Sequence, residues 1–312
     1  MKRSITSTLV FLFCFSGLIG VVAEGHEDVA PKDSSFENIQ AAPKKKYYSF
    51  RNISYTDDDD ERQLNLYMPV GKEDVPVVVF FPGGGWRFCR KSDGKHIADI
   101  ICEKGYGVAS VEYRTVGLFT PKKEERYPRF VEDGAAAFAW VKSRVKKFGG
   151  DPDQLFVAGH SAGGHMAAML ATDESFLKEH ELESKVVIKG CICFSGVYEI
   201  PEKVPDEAAN FARLIDAAFP KDKEAREKAS PKTHVGDHCP TFLLLYADDD
   251  YPLLDVSAEA FKTALAEEKI DAESHEIEGY GHISLLYSIA KGESEAARLI
   301  VKFLDDACAS DD

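Results

Sequence analysis

Along this chain, short runs of adjacent apolar residues alternate with stretches in which apolar residues recur every three or four positions. The runs are Val75 to Phe81, Gly107 to Tyr113, Leu155 to Ala158, Val186 to Phe194 and Thr241 to Tyr246. They are apolar at consecutive positions and rich in β-branched and aromatic types. That pattern predicts parallel strands covered on both faces. A weaker run at Ser274 to Ile277 predicts another strand, and the alternation of Leu64, Leu66 and Met68 predicts an early edge strand. Between the runs lie helical patterns. The clearest begins near Asp133, carries Phe138, Val141, Val145 and Phe148 at helical spacing, and ends at Gly149-Gly150. Others cover Met166 to Ala171, Ala258 to Glu268 and Glu295 to Ala307. Strand and helix alternate without an internal repeat, so the expected fold is a mostly parallel, doubly wound α/β sheet with helices on both faces. Residues 201 to 235 are polar and partly helical, and are expected to flank the mouth of a site.

The amino-terminal segment follows a different rule. Lys2 and Arg3 precede an apolar stretch, Leu9 to Val22, that closes on the small residue Ala23. A basic start, a short apolar core and a small-residue end predict a secretory signal peptide, and the stretch is short for a bilayer span. The expected organisation is a signal peptide over 1–23, a flexible polar leader over 24–45 and one domain over 46–312. The expected location is the periplasm or the medium, with no stable membrane insertion after cleavage. Removing 1–23 takes away two basic residues and no acidic one, so the charge moves from −15 to −17. That balance argues against sequence-independent nucleic-acid binding and against an anionic membrane surface. Cys14 lies in the expected signal peptide. Cys89, Cys102, Cys191, Cys193, Cys239 and Cys308 remain, enough for three disulfides in an exported chain. Cys191 and Cys193 sit two apart on one strand and are not expected to pair, and no spacing suits a zinc finger. Asn52-Ile53-Ser54 fits a glycosylation acceptor, relevant only in a eukaryotic host. Asp57 to Asp60 reads as a solvated turn, because no calcium-ligand spacing follows it.

The sharpest local signal is Gly159-His160-Ser161-Ala162-Gly163, placed between the Leu155 strand and the Met166 helix. A serine between flanking glycines at a strand-to-helix turn is pushed out at the sheet's edge. The following helix then directs amide donors to the point where negative charge develops. Ser161 is the candidate nucleophile. Pro82-Gly83-Gly84-Gly85-Trp86 follows the Val75 strand. Three consecutive glycines are costly unless backbone must approach a ligand closely. The amides of Gly84, Gly85 and Ala162 are the candidate oxyanion donors. The loop lacks the spacing of a phosphate- or dinucleotide-binding motif.

A serine needs a base, and the base needs an orienting carboxylate. Asp248, Asp249 and Asp250 follow the Thr241 strand, and position alone does not choose among them. His282, the last histidine, follows Gly279-Tyr280-Gly281 after the final strand signal and is the candidate base. Trp86 and His160 are candidate substrate-binding residues. Packing beneath the loop is the competing role for Trp86, and helix packing or pocket lining that for His160. No H-E-x-x-H arrangement is present, and no metal or organic cofactor is expected.

With these motifs placed, the chain resembles an α/β-hydrolase, in the esterase and lipase group related to the hormone-sensitive lipase and arylformamidase (BD-FAE-like) families. The resemblance runs from about Ser49 to Ala307 and includes Leu64 to Pro69, the glycine loop, Ser110 to Arg114, Gly149 to Pro152, the Ser161 turn, Ala229-Ser230-Pro231 and the His282 loop. It implies that the acid is Asp250, with Asp248 as fallback. Some such relatives carry a helical cap built from amino-terminal residues, but the stretch before Tyr47 is short and polar, so no large cap is expected. Pro82 stands where such families carry a histidine, and Tyr246 and Ala247 replace the histidine and glycine that usually precede the acid. The implied activity is a serine carboxylesterase acting on small acyl, aryl or acetyl-sugar esters. An arylformamidase-type amide hydrolase and a non-catalytic binding protein on the same scaffold are the alternatives.

Overall fold

The computed structural model describes residues 46–57, 62–117, 126–290 and 292–309. The expected signal peptide and leader, and most of the Asp57 to Asp60 run, lie outside the described residues. Eight strands form one sheet: β1 (Tyr47–Ser54), β2 (Gln63–Pro69), β3 (Val75–Phe81), β4 (Gly107–Val111), β5 (Gly150–His160), β6 (Gly190–Phe194), β7 (Thr241–Asp249) and β8 (Ala272–Gly281). Their spatial order is β1-β2-β4-β3-β5-β6-β7-β8. The β1–β2 and β2–β4 pairs are antiparallel, and all the others are parallel.

The continuous apolar runs are explained by what lies on each face. Alternate side chains of a strand point to opposite sides. Val77, Val79 and Phe81 of β3 therefore join Val157, Cys191 and Leu244 in one core, while Val78 and Phe80 join Phe156, Ile192 and Leu243 in the other. The helices in chain order are α1 (Gly94–Lys104), α2 (Arg129–Arg144), α3 (Ala162–Thr172), α4 (Glu174–Lys178), α5 (Ser184–Val187), α6 (Ala209–Ala218), α7 (Lys223–Lys228), α8 (Leu254–Glu267), α9 (His282–Ile289) and α10 (Glu295–Ala309). Phe130 and Phe138 of α2, Met166 of α3 and Phe261 of α8 fill the first core. Ile97 of α1, Leu285 of α9 and Ile300 of α10 fill the second.

Several elements depart from the expected ones. The Leu64 strand forms, but it is not an edge: β1 pairs outside it, with Phe50 opposite Leu66 and Ile53 opposite Leu64. The polar-interrupted, bulged sequence of β1 hides its strand character. Val186 is in the helical turn α5 and is 65% exposed, so β6 starts only at Gly190. The helix expected near Asp133 begins at Arg129, and its last turn tightens into a 3₁₀ turn, Val145–Phe148, closed by Gly149 at φ 85°. The six described cysteines are free thiols, with the Cys191 and Cys193 sulfurs 3.6 Å apart. Among the described residues, no helix is long and apolar enough to cross a membrane.

Candidate active site

β5 ends at His160 and α3 starts at Ala162, so the whole change of direction falls on Ser161, at φ 54° and ψ −117°. This region is costly for a residue with a side chain. The surroundings hold it there. The Ser161 amide donates to the Phe194 carbonyl at 2.8 Å, and the Ser161 carbonyl accepts from the His165 amide at 3.0 Å. A Cβ on Gly163 would collide with the Phe81 carbonyl, and one on Gly159 with the Gly163 carbonyl. Both flanking glycines are therefore steric requirements of the turn, which presents Ser161 at the carboxyl end of a central strand.

The glycine loop leaves β3 beside this turn. A Cβ on Gly83 would lie 2.6 Å from Nδ1 of His160 and 3.3 Å from Cβ of Ser161, so the loop backbone runs directly against the serine. Gly84 and Gly85 follow at φ 137° and 60°, and the Gly84 carbonyl accepts from the amides of Arg87 and Phe88, each at 3.1 Å. Ala162 opens α3, so its amide is one of the donors an α-helix leaves unpaired at its start. Pro82 is fixed through its carbonyl, which accepts from the Tyr113 hydroxyl at 2.7 Å. The Val116 amide pins the other end of the loop by donating to the Trp86 carbonyl at 2.9 Å.

Of the three aspartates at the carboxyl end of β7, one reaches the histidine. His282 donates through Nδ1 to Oδ1 of Asp250 at 2.6 Å. A carboxylate only accepts, so this bond places the neutral ring's proton on Nδ1 and leaves Nε2 as the basic nitrogen. Asp250 is anchored on every side. The Tyr251 amide donates to Oδ1 at 2.8 Å, the Ala247 amide to Oδ2 at 3.1 Å, and the Ser195 hydroxyl to Oδ2. Burial pushes this carboxyl up, but the bond and charge of His282, the Ser195 hydroxyl and the Ala247 amide outweigh it and hold the group below its ordinary value. Asp248 is exposed and accepts from the Tyr280 amide at 3.0 Å, which ties β7 to the loop before His282. Asp249 is exposed at the end of β7.

The two candidate substrate-binding residues are both buried. Trp86 is 1% exposed and packs edge-on against Phe219 at 4.9 Å and His165 at 5.4 Å, which fits the packing role beneath the loop. His160 is 3% exposed. Its Nε2 donates to the His282 carbonyl at 2.9 Å, and the two rings lie 4.7 Å apart. The residue next to Ser161 thus grips the main chain of His282 and draws the two segments together. Two further residues carried no usable signal in the sequence. Ser195 is a lone serine after a strand, and Tyr251 is an aromatic in a loop. Tyr251 stacks on the His282 ring at 4.3 Å and 29°.

Burial lowers two histidines strongly. His160 is brought to about 3 by desolvation and then by the charge of His282, and His165 to about 4 by desolvation. Both stay neutral in the folded chain while their unfolded counterparts take up a proton below about pH 6.5. Their contribution to stability is complete above that value and is lost as the pH falls toward their folded values. Each removes up to about 1.4 kcal/mol per pH unit across that window. Asp250 acts in the same direction further down, its contribution present above the unfolded value and lost as the pH falls through the depressed one. The urea midpoint is expected to be clearly lower at pH 5 than at pH 7, and equal midpoints would contradict the burial of these rings.

Sheet order, the strained serine turn and the loops converging on it define the α/β-hydrolase class. Solved structures agree on the fold. A truncated carbohydrate esterase from gut microbiota superposes with a TM-score of 0.68 at 17% identity, covering 86% of this chain and 99% of that one. Esterase B from Lactobacillus Rhamnosis gives 0.70 at 19% identity, over 85% of this chain and 86% of its own. Residues 64–265 match the BD-FAE family model, and the chain belongs to the BD-FAE family. Among curated relatives, esterase LipC of Mycobacterium tuberculosis (strain ATCC 25618 / H37Rv) is 27% identical over 252 residues, 76% of this chain and 60% of that protein. A probable isoprenylcysteine alpha-carbonyl methylesterase, ICME, of Oryza sativa subsp. japonica is 30% identical over 254 residues, 76% of this chain and 59% of that protein. The chain therefore spans about 60% of the length of these relatives.

Proposed function

We propose that the chain is a serine carboxylesterase that works through an acyl-enzyme. The observation that carries this reading is the Asp250–His282 bond, delivered by β7 and α9 to the loops around the strained Ser161 turn. Nε2 of His282 takes the proton as Ser161 Oγ attacks the ester carbonyl and a carbon–oxygen bond forms. Asp250 keeps the ring in the required tautomer and stabilises the imidazolium. The amides of Ala162, Gly84 and Gly85 receive the oxyanion, each donor contributing about 3 kcal/mol at the transition state. As the tetrahedral centre collapses, the carbon–oxygen bond to the alcohol breaks and His282 returns the proton to the leaving oxygen. Water then enters, His282 removes its proton, and the acid is released with Ser161 restored. The relatives and neighbours called esterases, methylesterases and carboxylic ester hydrolases support ester chemistry. In this reading the chain acts outside the cytoplasm, supported by the signal-like pattern at 1–23.

A serine-directed fluorophosphonate is expected to label the purified chain once and to stop hydrolysis of p-nitrophenyl acetate in proportion to labelling. An unlabelled chain that still turns over the ester would overturn the assignment.

A further inference from the structure

Large apolar side chains left exposed on this molecule are unevenly placed. Among the described residues there are seven, and five of them, Phe88, Tyr251, Val256, Ile283 and Tyr287, follow the carboxyl ends of β3, β7 and β8. Those are the strand ends from which the oxyanion loop, Asp250 and His282 depart. Isolated exposed apolar residues need no explanation, but an exposed aromatic residue held against His282 does. Tyr251 is the most informative. It is 41% exposed, yet its ring is stacked on His282 and its amide is fixed to Asp250 at 2.8 Å. An aromatic plane is thus held beside the imidazole with much of its surface still open.

Building on the serine-esterase reading, we propose that the site selects esters whose alcohol half is a flat aromatic group, and that Tyr251 is the platform on which that group stacks. The chemistry decides which half of the ester meets it. His282 must return its proton to the leaving oxygen, so that oxygen lies within about 3 Å of the imidazole during reaction. A ring joined to that oxygen through one carbon falls beside the same imidazole, where Tyr251 lies. Ile283, next to His282 in the chain, is 44% exposed.

Benzyl acetate and ethyl acetate test this, because their leaving alcohols have similar basicity and differ in the ring. The expected wild-type preference in kcat/KM for benzyl acetate is about three- to tenfold, the range of one aromatic pair. Tyr251→Ala should erase that preference, mainly by raising KM for benzyl acetate, whereas Tyr251→Phe should keep it. An unchanged benzyl-to-ethyl ratio in Tyr251→Ala overturns the proposal, and so does a wild-type preference for an acetylated methyl glucoside over benzyl acetate. Ser161→Ala, assayed in parallel, separates the two levels of inference: if it still hydrolyses both acetates, the esterase reading fails and not merely the role of Tyr251.

Discussion

Replacing Ser161 with alanine is expected to lower kcat for p-nitrophenyl acetate by about 10⁵-fold or more, the scale found when the nucleophile of a cooperating serine–histidine–carboxylate set is removed. The backbone should tolerate the change. Bonds to Phe194 and from His165 run through the amide and carbonyl of Ser161, not its hydroxyl. Glycines 159 and 163 keep the turn closed whichever side chain sits between them. The variant should therefore melt within a few degrees of the wild type, an interval that corresponds to about 1 kcal/mol or less for a chain of this size. Loss of turnover with an intact melt assigns the chemistry to Oγ. Loss of both would instead make Ser161 a structural residue.

The second large effect distinguishes two neighbouring aspartates. Asp250→Asn is expected to lower kcat by about 10⁴-fold, because an amide can donate to the ring and so favours the wrong tautomer of His282. Asp248→Asn should cost no more than about fivefold, equivalent to one exposed hydrogen bond to the Tyr280 amide worth about 1 kcal/mol. The contrast follows from surroundings, since the two residues are alike and two positions apart. Asp250 is enclosed by Ser195, Ala247, Tyr251 and His282, whereas Asp248 faces solvent and ties down a loop. Equal effects in the two variants would remove the special position of Asp250.

Much of the architecture was legible because burial on both faces leaves a direct trace. Val75–Phe81 and Thr241–Asp249 are strands where their apolar runs begin, since a strand with helices on either side has no polar face to show. The Ser161 turn was legible because its two glycines answer a steric demand. The edge of the sheet was not legible: β1 mixes Ser49, Arg51 and Asn52 with its apolar residues, and its bulge breaks the alternation. Nor was α9 anticipated, because it begins on His282 itself, directly after a glycine-rich stretch that resembles loop. At the site, residue type and order pointed to Ser161 and His282, but three aspartates in a row carry no pattern that separates them. The family resemblance implied Asp250, and in the fold Asp250 is the one that reaches His282. His160 and Trp86 illustrate the converse. Both adjoin the glycine-bounded motifs, and both turn inward as supports, which sequence adjacency cannot distinguish from lining a pocket. Ser195 lies over fifty residues from Asp250 in the chain, and no local spacing links them.

The most direct measurement is to locate the phosphonyl group after fluorophosphonate treatment, by digesting the labelled chain and sequencing the modified peptide by mass spectrometry. One group on Ser161, absent when His282 is replaced by glutamine, is the predicted result. A group on any other residue, or full labelling that is indifferent to His282, would mean that this serine is not activated by that base.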